Sequence, residues 1–294
     1  MNSYKSQAIF HLPALFEQFN FVKIFIDFIN QNPQYLKDNV KIGSLYGSPT
    51  CIWNGGRGVF GVNLVKSELI MVRDFCEENN IPARFTFTNH ILQPHHIYDE
   101  RGNQILKIFN TGHNEIICNS NFLEQYIRTN YGDNYKYISS TTKRLNKIEQ
   151  QNEELEKDYY LVVLDYDYNN NFEYLSSIKH KEKCEILCNP CCIPECPNRK
   201  KHYTALAEAQ LNLDTDNPYI CPFDRDILSF YATKDTKTFI KAEDINKYLD
   251  MGFNNFKLEG RSTPVLNILE IYLYYLIKDD FQEKVRVELQ NMIW

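Results

Sequence analysis

The sequence has little excess of charge of either sign and no apolar run long enough to cross a bilayer. Its 32 Lys and Arg residues nearly balance 38 Asp and Glu residues, and the net charge of -6 gives no general attraction for nucleic acid, although a local basic patch stays compatible with it. The most lipid-like stretch, Val265 to Ile277, is too short to span and contains Asn267 and Glu270. The N-terminal residues lack a basic region followed by an uninterrupted apolar stretch, so no signal peptide is predicted. These absences predict a cytoplasmic protein with no membrane partner.

Low-complexity linkers and charge blocks are also missing, so residues 1–294 are predicted to form a single domain, and a hydrophobic content of 43% suffices for a full core. An amphipathic helix is predicted over 13–30, and residues 212–236 are predicted to be irregular around Cys221 and Pro222. Strands are predicted at 41–46, 83–88, 114–118, 135–138, 159–164, 185–188, 238–240 and 255–258, most of them followed by a helix. This alternation predicts an α/β, (β/α)8 TIM-barrel-like fold with an N-terminal helix and extra C-terminal helices.

A doubly wound open sheet is the alternative architecture. Its dinucleotide-binding form needs a Gly-rich fingerprint after the first strand, and the loop Asn54–Arg57 is glycine-rich without that spacing. The backbone of this loop could instead approach a phosphate or carboxylate, with Asn54 and Arg57 as binding residues, or form a tight turn with an exposed Arg. The neighbouring Trp53 could stack on a substrate ring or belong to the core.

Cysteine is concentrated in one segment. Five of the nine cysteines lie between Cys184 and Tyr203, after a strand-like run and before a helix-like run. An odd number of crowded cysteines favours reduced thiols or metal ligands over a disulfide scaffold, so a metal loop is predicted at 184–221. From spacing, a zinc site made of Cys192, Cys196, His202 and Cys221 and an iron–sulfur cluster held by three or four cysteines are equally reasonable, and ordinary buried thiols are the remaining alternative.

Two segments resemble the collagenase-like peptidase family. One is Asn189-Pro-Cys-Cys192-x3-Cys196, the other is Gly252 to Arg261 (GFNNFKLEGR), and Tyr137–Ser140 lies where that family has a strand with a Ser. The earlier cysteine pair of the family is not found, and Cys191 stands where the family has Gly. The resemblance implies a barrel and a four-iron cluster held by Cys192, Cys196, Cys221 and one further thiol, for which Cys188 is our candidate. Members of the family hydroxylate RNA bases or a quinone precursor without oxygen.

A barrel places its active site at the carboxyl ends of its strands. Our candidate catalytic residues there are Asn89, Asp165, Glu259 and Arg261, with Asp165 or Glu259 as general base and Arg261 as a clamp for an anionic group. In the alternative, Glu259 pairs with Arg261 and Asp165 caps a helix.

Other polar residues give weaker signals. Ser140 and Asn189 are further candidate substrate-binding residues. Adjacent His95 and His96 are typical of a surface loop, and a triad of Ser140, His90 and Asp165 lacks nucleophile-elbow spacing.

The resemblance therefore implies an iron–sulfur-dependent enzyme that hydroxylates an RNA base or a small aromatic molecule. An electron donor and a homo- or heterodimer are both compatible with this prediction. The alternatives are a non-catalytic binding protein with a structural zinc site and a hydrolase of the peptidase type.

Overall fold

The computed structural model describes residues 7–216, 219, 221, 230–261 and 263–293. Eight parallel strands form a closed barrel in chain order, and β8 pairs with β1. The strands are β1 Ala8–Leu12, β2 Val40–Gly47, β3 Ala83–Phe87, β4 Glu115–Cys118, β5 Lys136–Ser139, β6 Leu161–Val163, β7 Cys184–Leu187 and β8 Asn255–Lys257. The predicted (β/α)8 TIM-barrel-like fold is confirmed.

Helices surround the barrel and follow most of the strands. They are α1 Phe19–Gln31, α2 Lys66–Glu78, α3 Glu100–Ile108, α4 Asn121–Tyr131, α5 Ile148–Leu155, α6 Phe172–Ser176, α7 Arg199–Asn212, α8 Phe230–Thr233, α9 Ile245–Asp250, α10 Val265–Leu276 and α11 Gln282–Ile293. The two extra C-terminal helices, α10 and α11, pack on each other, and α11 also packs on α1. None of the described helices is long and apolar enough to cross a membrane.

The structure corrects the predicted strand list at two places. Residues 8–12 form β1, which was not predicted, so the N-terminal helix follows a strand and begins at Phe19 instead of near Pro13. Residues 238–240 are not a strand: the Ile240 amide donates to the Cys188 carbonyl at 2.8 Å, and Phe239 packs against Tyr274 and Tyr275. Of the stretch predicted as irregular, residues 217–218, 220 and 222–229, with Pro222, lie outside the described residues.

A network of charged side chains lies in the barrel interior. Arg84 on β3 donates to Glu115 on β4 at 2.6 Å and to Glu185 on β7, and its Nη2 lies 2.9 Å from Nδ1 of His11 on β1. All four side chains are at most 2% exposed. Buried charges are tolerated when they are paired and hydrogen-bonded, and this network meets that condition across four strands. The β4–β6 side of the interior is apolar, with Ile117, Ile138, Leu161 and Val163 in one cluster.

We expect the protein to lose stability in mildly acid solution because His11 is neutral in the folded state. Burial, and then Arg84, lower the pKa of His11 from 6.5 to about 3. Between these values the unfolded chain binds a proton that the folded protein does not, so the free energy of unfolding falls by up to about 1.4 kcal/mol per pH unit below 6.5. Urea unfolding between about pH 5 and 7 should show this slope in the wild type and a shallower one in His11→Gln. His95→Gln, on an exposed side chain, is the control that should keep it, and an equal slope in His11→Gln would refute the assignment.

Candidate functional site

The carboxyl ends of the strands surround a small pocket of about 90 Å³ that is open to solvent, hereafter the mouth pocket. Barrel enzymes use this end of the fold for chemistry. The lining residues are Tyr46, Gly55, Gly56, Arg57, Thr86, Thr88, Ile117, Ser140, Thr141, Thr142, Val163, Tyr166, Leu187, Tyr203, Lys257, Glu259 and Arg261. Four predicted site residues are thus brought together, namely Arg57, Ser140, Glu259 and Arg261.

Glu259 is the centre of a hydrogen-bonded cluster on one side of the mouth pocket. Its carboxylate accepts from Arg57 Nη2, from the Cys191 amide at 2.9 Å and from the Cys191 thiol at 3.2 Å. The Asn189 side chain bonds both the backbone amide and the carbonyl of Glu259, at 2.8 and 2.9 Å. Asn189 therefore joins the ends of β7 and β8, and the partner of Glu259 is Arg57 and not Arg261.

The electrostatics of this cluster favour a binding role over proton transfer. Burial alone would raise the pKa of Glu259, but Arg57 and the Cys191 amide hold it below its ordinary value, so Glu259 is an ion at neutral pH and a weak base. Burial, and then the Glu259 charge, raise the pKa of the Cys191 thiol to about 12, which keeps the proton that Cys191 donates.

Arg261 and Lys257 are two further basic side chains of the pocket. Arg261 Nη1 donates to the Thr86 hydroxyl at 2.7 Å, and among the described residues no carboxylate lies within ion-pairing distance of its guanidinium. Lys257 Nζ lies 3.7 Å from Glu185 Oε1 and 4.4 Å from the centroid of the Tyr46 ring. Burial is the largest influence on both and lowers the pKa of each, that of Lys257 to about 7.

Glu17, which sequence reasoning missed, is a buried carboxylate behind Arg261. Among the described residues neither of its oxygens has a hydrogen-bond partner, and a Cβ added to Gly47 would lie only 2.7 Å from Oε2. Burial raises the pKa of Glu17, and the charge of Arg261 opposes that shift. The available sequence signal is an acid inside an apolar run, Leu15-Phe16-Glu17. Lys257 was also missed, although it lies in the segment that carries the family resemblance.

The other predicted site residues stabilise loops. Asn54 donates to the Pro49 carbonyl at 2.8 Å, and Asn89 donates to the carbonyls of Ile52 and Ala207 at 2.9 and 3.0 Å. Both are fully buried outside the mouth pocket. Asp165 accepts from the Asp167 amide at 3.1 Å and caps a helical turn, as the alternative interpretation had it.

Histidines near the pocket have local partners. His90 Nε2 lies 3.3 Å from the Thr204 hydroxyl, and the described contacts of Ser140 and Asp165 do not include it. His95 is exposed, and His96 Nδ1 accepts from the Gln93 amide at 2.8 Å. A Ser-His-Asp triad is therefore not formed among these residues.

The predicted metal ligands point in different directions. Cys188 continues the outward face of β7 and is buried in the apolar layer between barrel and helices, because alternate strand residues face opposite sides. Cys192 lies beside Cys196, Tyr166 and Arg199. His202 stacks on Tyr219 with ring centroids 4.6 Å apart, and Cys221 is half-buried.

A four-ligand site is consequently not assembled in the part of the chain that the structure describes. No three His, Cys, Asp or Glu side chains there are placed to hold one metal ion. The cluster set of Cys188, Cys192, Cys196 and Cys221, and the zinc set that replaces Cys188 by His202, therefore stay predictions. Among the described residues, Cys192 and Cys196 are the two predicted ligands that lie beside each other.

The basic run after the cysteines is in part structural. Arg199 is 1% exposed and binds Asp167 through two nitrogens, at 2.6 and 2.8 Å, over the ring of Tyr166. Lys200 and Lys201 are exposed. A continuous basic surface for an RNA backbone is therefore not formed by these three residues.

Comparison with known proteins identifies a solved structure with a similar fold. No family model and no curated protein matches the chain. A solved structure described as a U32 peptidase is similar, with 12% sequence identity, a TM-score of 0.56, and coverage of 90% of this chain and 97% of that chain. The Bacillus cereus spore cortex-lytic enzyme SleL gives 12% identity and a TM-score of 0.39 over 92% of this chain and 74% of that one. The chain thus shares a (β/α)8 barrel fold with the U32 peptidase structure.

Proposed function

We propose that the chain is an enzyme whose mouth pocket binds a small substrate through an anionic group, most simply a carboxylate. The supporting observation is the Arg261 guanidinium, which faces the pocket with the Thr86 hydroxyl as its hydrogen-bond partner. Arg57 forms an ion pair with Glu259 and Lys257 forms one with Glu185, so Arg261 is the basic residue of the pocket that has no carboxylate partner among the described residues. A guanidinium in this setting gains more from a carboxylate than an exposed one would, because little water competes for it.

The opposite wall suits the remainder of a small organic substrate. Tyr166 and Tyr203 line the pocket with their hydroxyl oxygens 3.2 Å apart, and Ser140 lies nearby on the same rim. Tyrosines combine an apolar ring with a hydrogen-bonding end, so this wall can contact a ring or an alkyl chain and bond to its polar atoms.

Hydrolysis of the peptidase type is the reaction class that we favour. The U32 peptidase with a similar barrel and the sequence resemblance to collagenase-like peptidases support the same family, and a peptide has the carboxylate that the pocket would accept. Burial is the main reason that the pKa of Lys257 is lowered to about 7. The amine of Lys257 is therefore suited to accept a proton from water near neutral pH.

Binding measurements on Arg261→Gln test the anion site. We expect small peptides with a free carboxylate to bind the wild type, and the variant to bind them at least about tenfold more weakly, as for loss of one charge-assisted hydrogen bond. Isothermal titration measures both, and product analysis by mass spectrometry detects cleavage. Lys200→Gln, on an exposed cation outside the mouth pocket, should bind as the wild type does. Equal affinity of a peptide and its C-terminal amide would refute the proposal.

The iron–sulfur cluster, its hydroxylation chemistry and an electron donor are proposed on the sequence resemblance alone, with RNA or an aromatic molecule as substrate. Cys192 and Cys196 are the described thiols that would take part. Anaerobic purification followed by iron, sulfide and zinc analysis decides the matter. Iron and acid-labile sulfide lost in Cys192→Ala but kept in Cys76→Ala, a buried cysteine of α2, would establish a cluster. Zinc without sulfide would favour a structural staple.

A further inference from the structure

We propose that Lys257 is a nucleophile that forms an imine with the carbonyl group of a 2-oxo carboxylic acid bound in the mouth pocket. This inference rests on the proposed anion-binding pocket and names a substrate class for it. It also assigns the pocket a covalent step that hydrolysis does not require.

The first step is the direction of the Lys257 side chain. Lys257 ends β8, and its inward neighbour two residues earlier, Asn255, contacts His11 inside the barrel, whereas Phe256 packs outward on Tyr248. Alternation along the strand therefore aims Lys257 into the barrel, at the floor of the mouth pocket. Its side chain is 13% exposed.

The second step is that Nζ of Lys257 forms no hydrogen bond with the described residues. Among the described residues, Nζ has one carboxylate near it, Glu185, whose Oε1 is 3.7 Å away and is itself without a hydrogen-bond partner. The Tyr46 ring lies 4.4 Å away on another side. Glu185 is bound through its other oxygen by Arg84, and its ion pair with Nζ is longer than a hydrogen bond, so the lone pair of the amine is available when the amine is neutral.

The third step is the charge around the amine. Charged and titratable groups face it from five strands or strand ends: Arg84 on β3, Glu185 on β7, His11 on β1, Tyr46 on β2, and Glu259 and Arg261 after β8. Burial is the largest influence and lowers the pKa of Lys257 to about 7. Glu185, the second influence, opposes this shift, and Arg84 and Arg261 act in the same direction as burial. A desolvated lysine beside other cations is a usual way to obtain a neutral, nucleophilic amine in water at neutral pH.

The reaction balances without a further reactant. The neutral amine attacks the carbonyl carbon, a C–N bond forms, and the carbonyl oxygen becomes the hydroxyl group of a carbinolamine after the proton moves from nitrogen to oxygen. Loss of that hydroxyl as water, with a second proton, leaves the imine, and no electrons are gained or lost overall. The substrate carboxylate would bind Arg261, two residues along the chain, which turns the adjacent carbonyl toward the amine.

Reductive trapping tests the proposal on the full chain. The protein is incubated with pyruvate and cyanoborohydride, and adducts are located by intact mass and peptide mapping. We expect one adduct, on the peptide that contains Lys257, and its rate should rise with pH through about 7 as the amine loses its proton. Lys257→Arg should give no specific adduct, and Lys200→Arg, which removes an exposed lysine, should react as the wild type does. A circular dichroism melt checks that Lys257→Arg is folded. Peptide mapping of the wild type locates the adduct even if this variant does not fold.

The outcomes separate this inference from the proposed anion site. At about pH 9, where the amine is neutral with or without the Arg261 charge, trapping of pyruvate by Arg261→Gln should slow at least about tenfold while trapping of acetaldehyde, which has no carboxylate, should not change. Binding of carboxylates without any adduct on Lys257 would overturn the nucleophile and leave the anion site standing. Labelling of Lys257 by acetaldehyde and pyruvate at equal rates in both proteins would support the nucleophile and overturn the 2-oxo acid. Adducts spread over exposed lysines would overturn the inference as a whole.

Discussion

Arg84→Met is expected to lower the free energy of unfolding by about 3–5 kcal/mol, which is a large part of what a domain has. The substitution removes the cation that binds Glu115 and Glu185, and it keeps an unbranched chain of similar length in the barrel. Burial alone would raise the pKa of Glu185, and the Arg84 charge is the main reason that it stays at about 2. Without Arg84, two carboxylates 2% or less exposed would remain in the interior. Glu115 would lose its ion-pair partner, and Glu185 would keep only His11 and Lys257 beside it among the described residues.

Urea unfolding followed by circular dichroism measures this effect. Arg73→Met removes an ion pair with Asp74 in which both side chains are substantially exposed, and it should change stability by less than about 1 kcal/mol. A triple variant that also replaces Glu115 and Glu185 by Met should recover much of the lost stability, because it removes the unpaired charges too. If Arg84→Met were as stable as Arg73→Met, the network would not be needed to keep the barrel closed.

Trp53→Ala is expected to destabilise the protein by about 3–5 kcal/mol and to weaken carboxylate binding in the mouth pocket. Trp53 is fully buried, its ring meets Phe87 edge-on at 5.3 Å, and its indole nitrogen donates to the His96 carbonyl at 2.7 Å. A Cβ on Gly102 would lie 2.3 Å from this ring, so the site has no spare volume that a shifted ring could use. Of the two interpretations of Trp53, core residue or stacking platform, the structure supports the core.

The effect on binding follows from the loop that Trp53 anchors. The Trp53 carbonyl accepts from the Asn89 amide at 3.0 Å, and the next turn brings Gly55 so close to the Thr88 backbone that a Cβ would lie 2.6 Å from it. Arg57 leaves from this turn toward Glu259, so loss of the anchor should displace Arg57.

Thermal melts and titration with a carboxylate ligand measure both consequences of the substitution. Trp53→Phe keeps most of the packing and loses the indole hydrogen bond, so it should cost less than half as much. Phe122→Ala, at an exposed position of α4, should change neither property. Full carboxylate affinity in folded Trp53→Ala would show that the loop does not depend on this anchor.

The strand errors have a physical cause. Phe10 and Leu12 of β1 are apolar and buried, yet a five-residue run that ends next to Pro13 and a helical pattern contributes too little periodicity to be separated from that helix. Conversely, Thr238–Ile240 has the composition of a strand, but its apolar side chains pack on α10 and its backbone makes a single ladder-like bond with Cys188. Pairing with a neighbouring strand, which local composition does not encode, decided both cases.

The cysteine loop shows a second limit of sequence patterns. Spacing along the chain places Cys188, Cys191, Cys192 and Cys196 within nine residues, but it does not tell which way each thiol points. Cys188 faces the helices, Cys191 bonds Glu259, and Cys192 turns toward Tyr166 and Arg199. The alternation of β7 and the turn after it separate thiols that are neighbours in the chain.

By itself, the sequence determined the α/β barrel class and the mouth positions of Arg57, Ser140, Glu259 and Arg261, because alternation of apolar strands and helices is local and parallel strands end at one edge. Only the tertiary structure decided which of these charges are paired. Glu259 pairs with Arg57, 202 residues away in the chain, and Arg261 has the Thr86 hydroxyl as its hydrogen-bond partner among the described residues. It also placed Glu17 and Lys257 in low-dielectric surroundings, and the charge state of a buried group depends on neighbours from every strand around it rather than on its own segment.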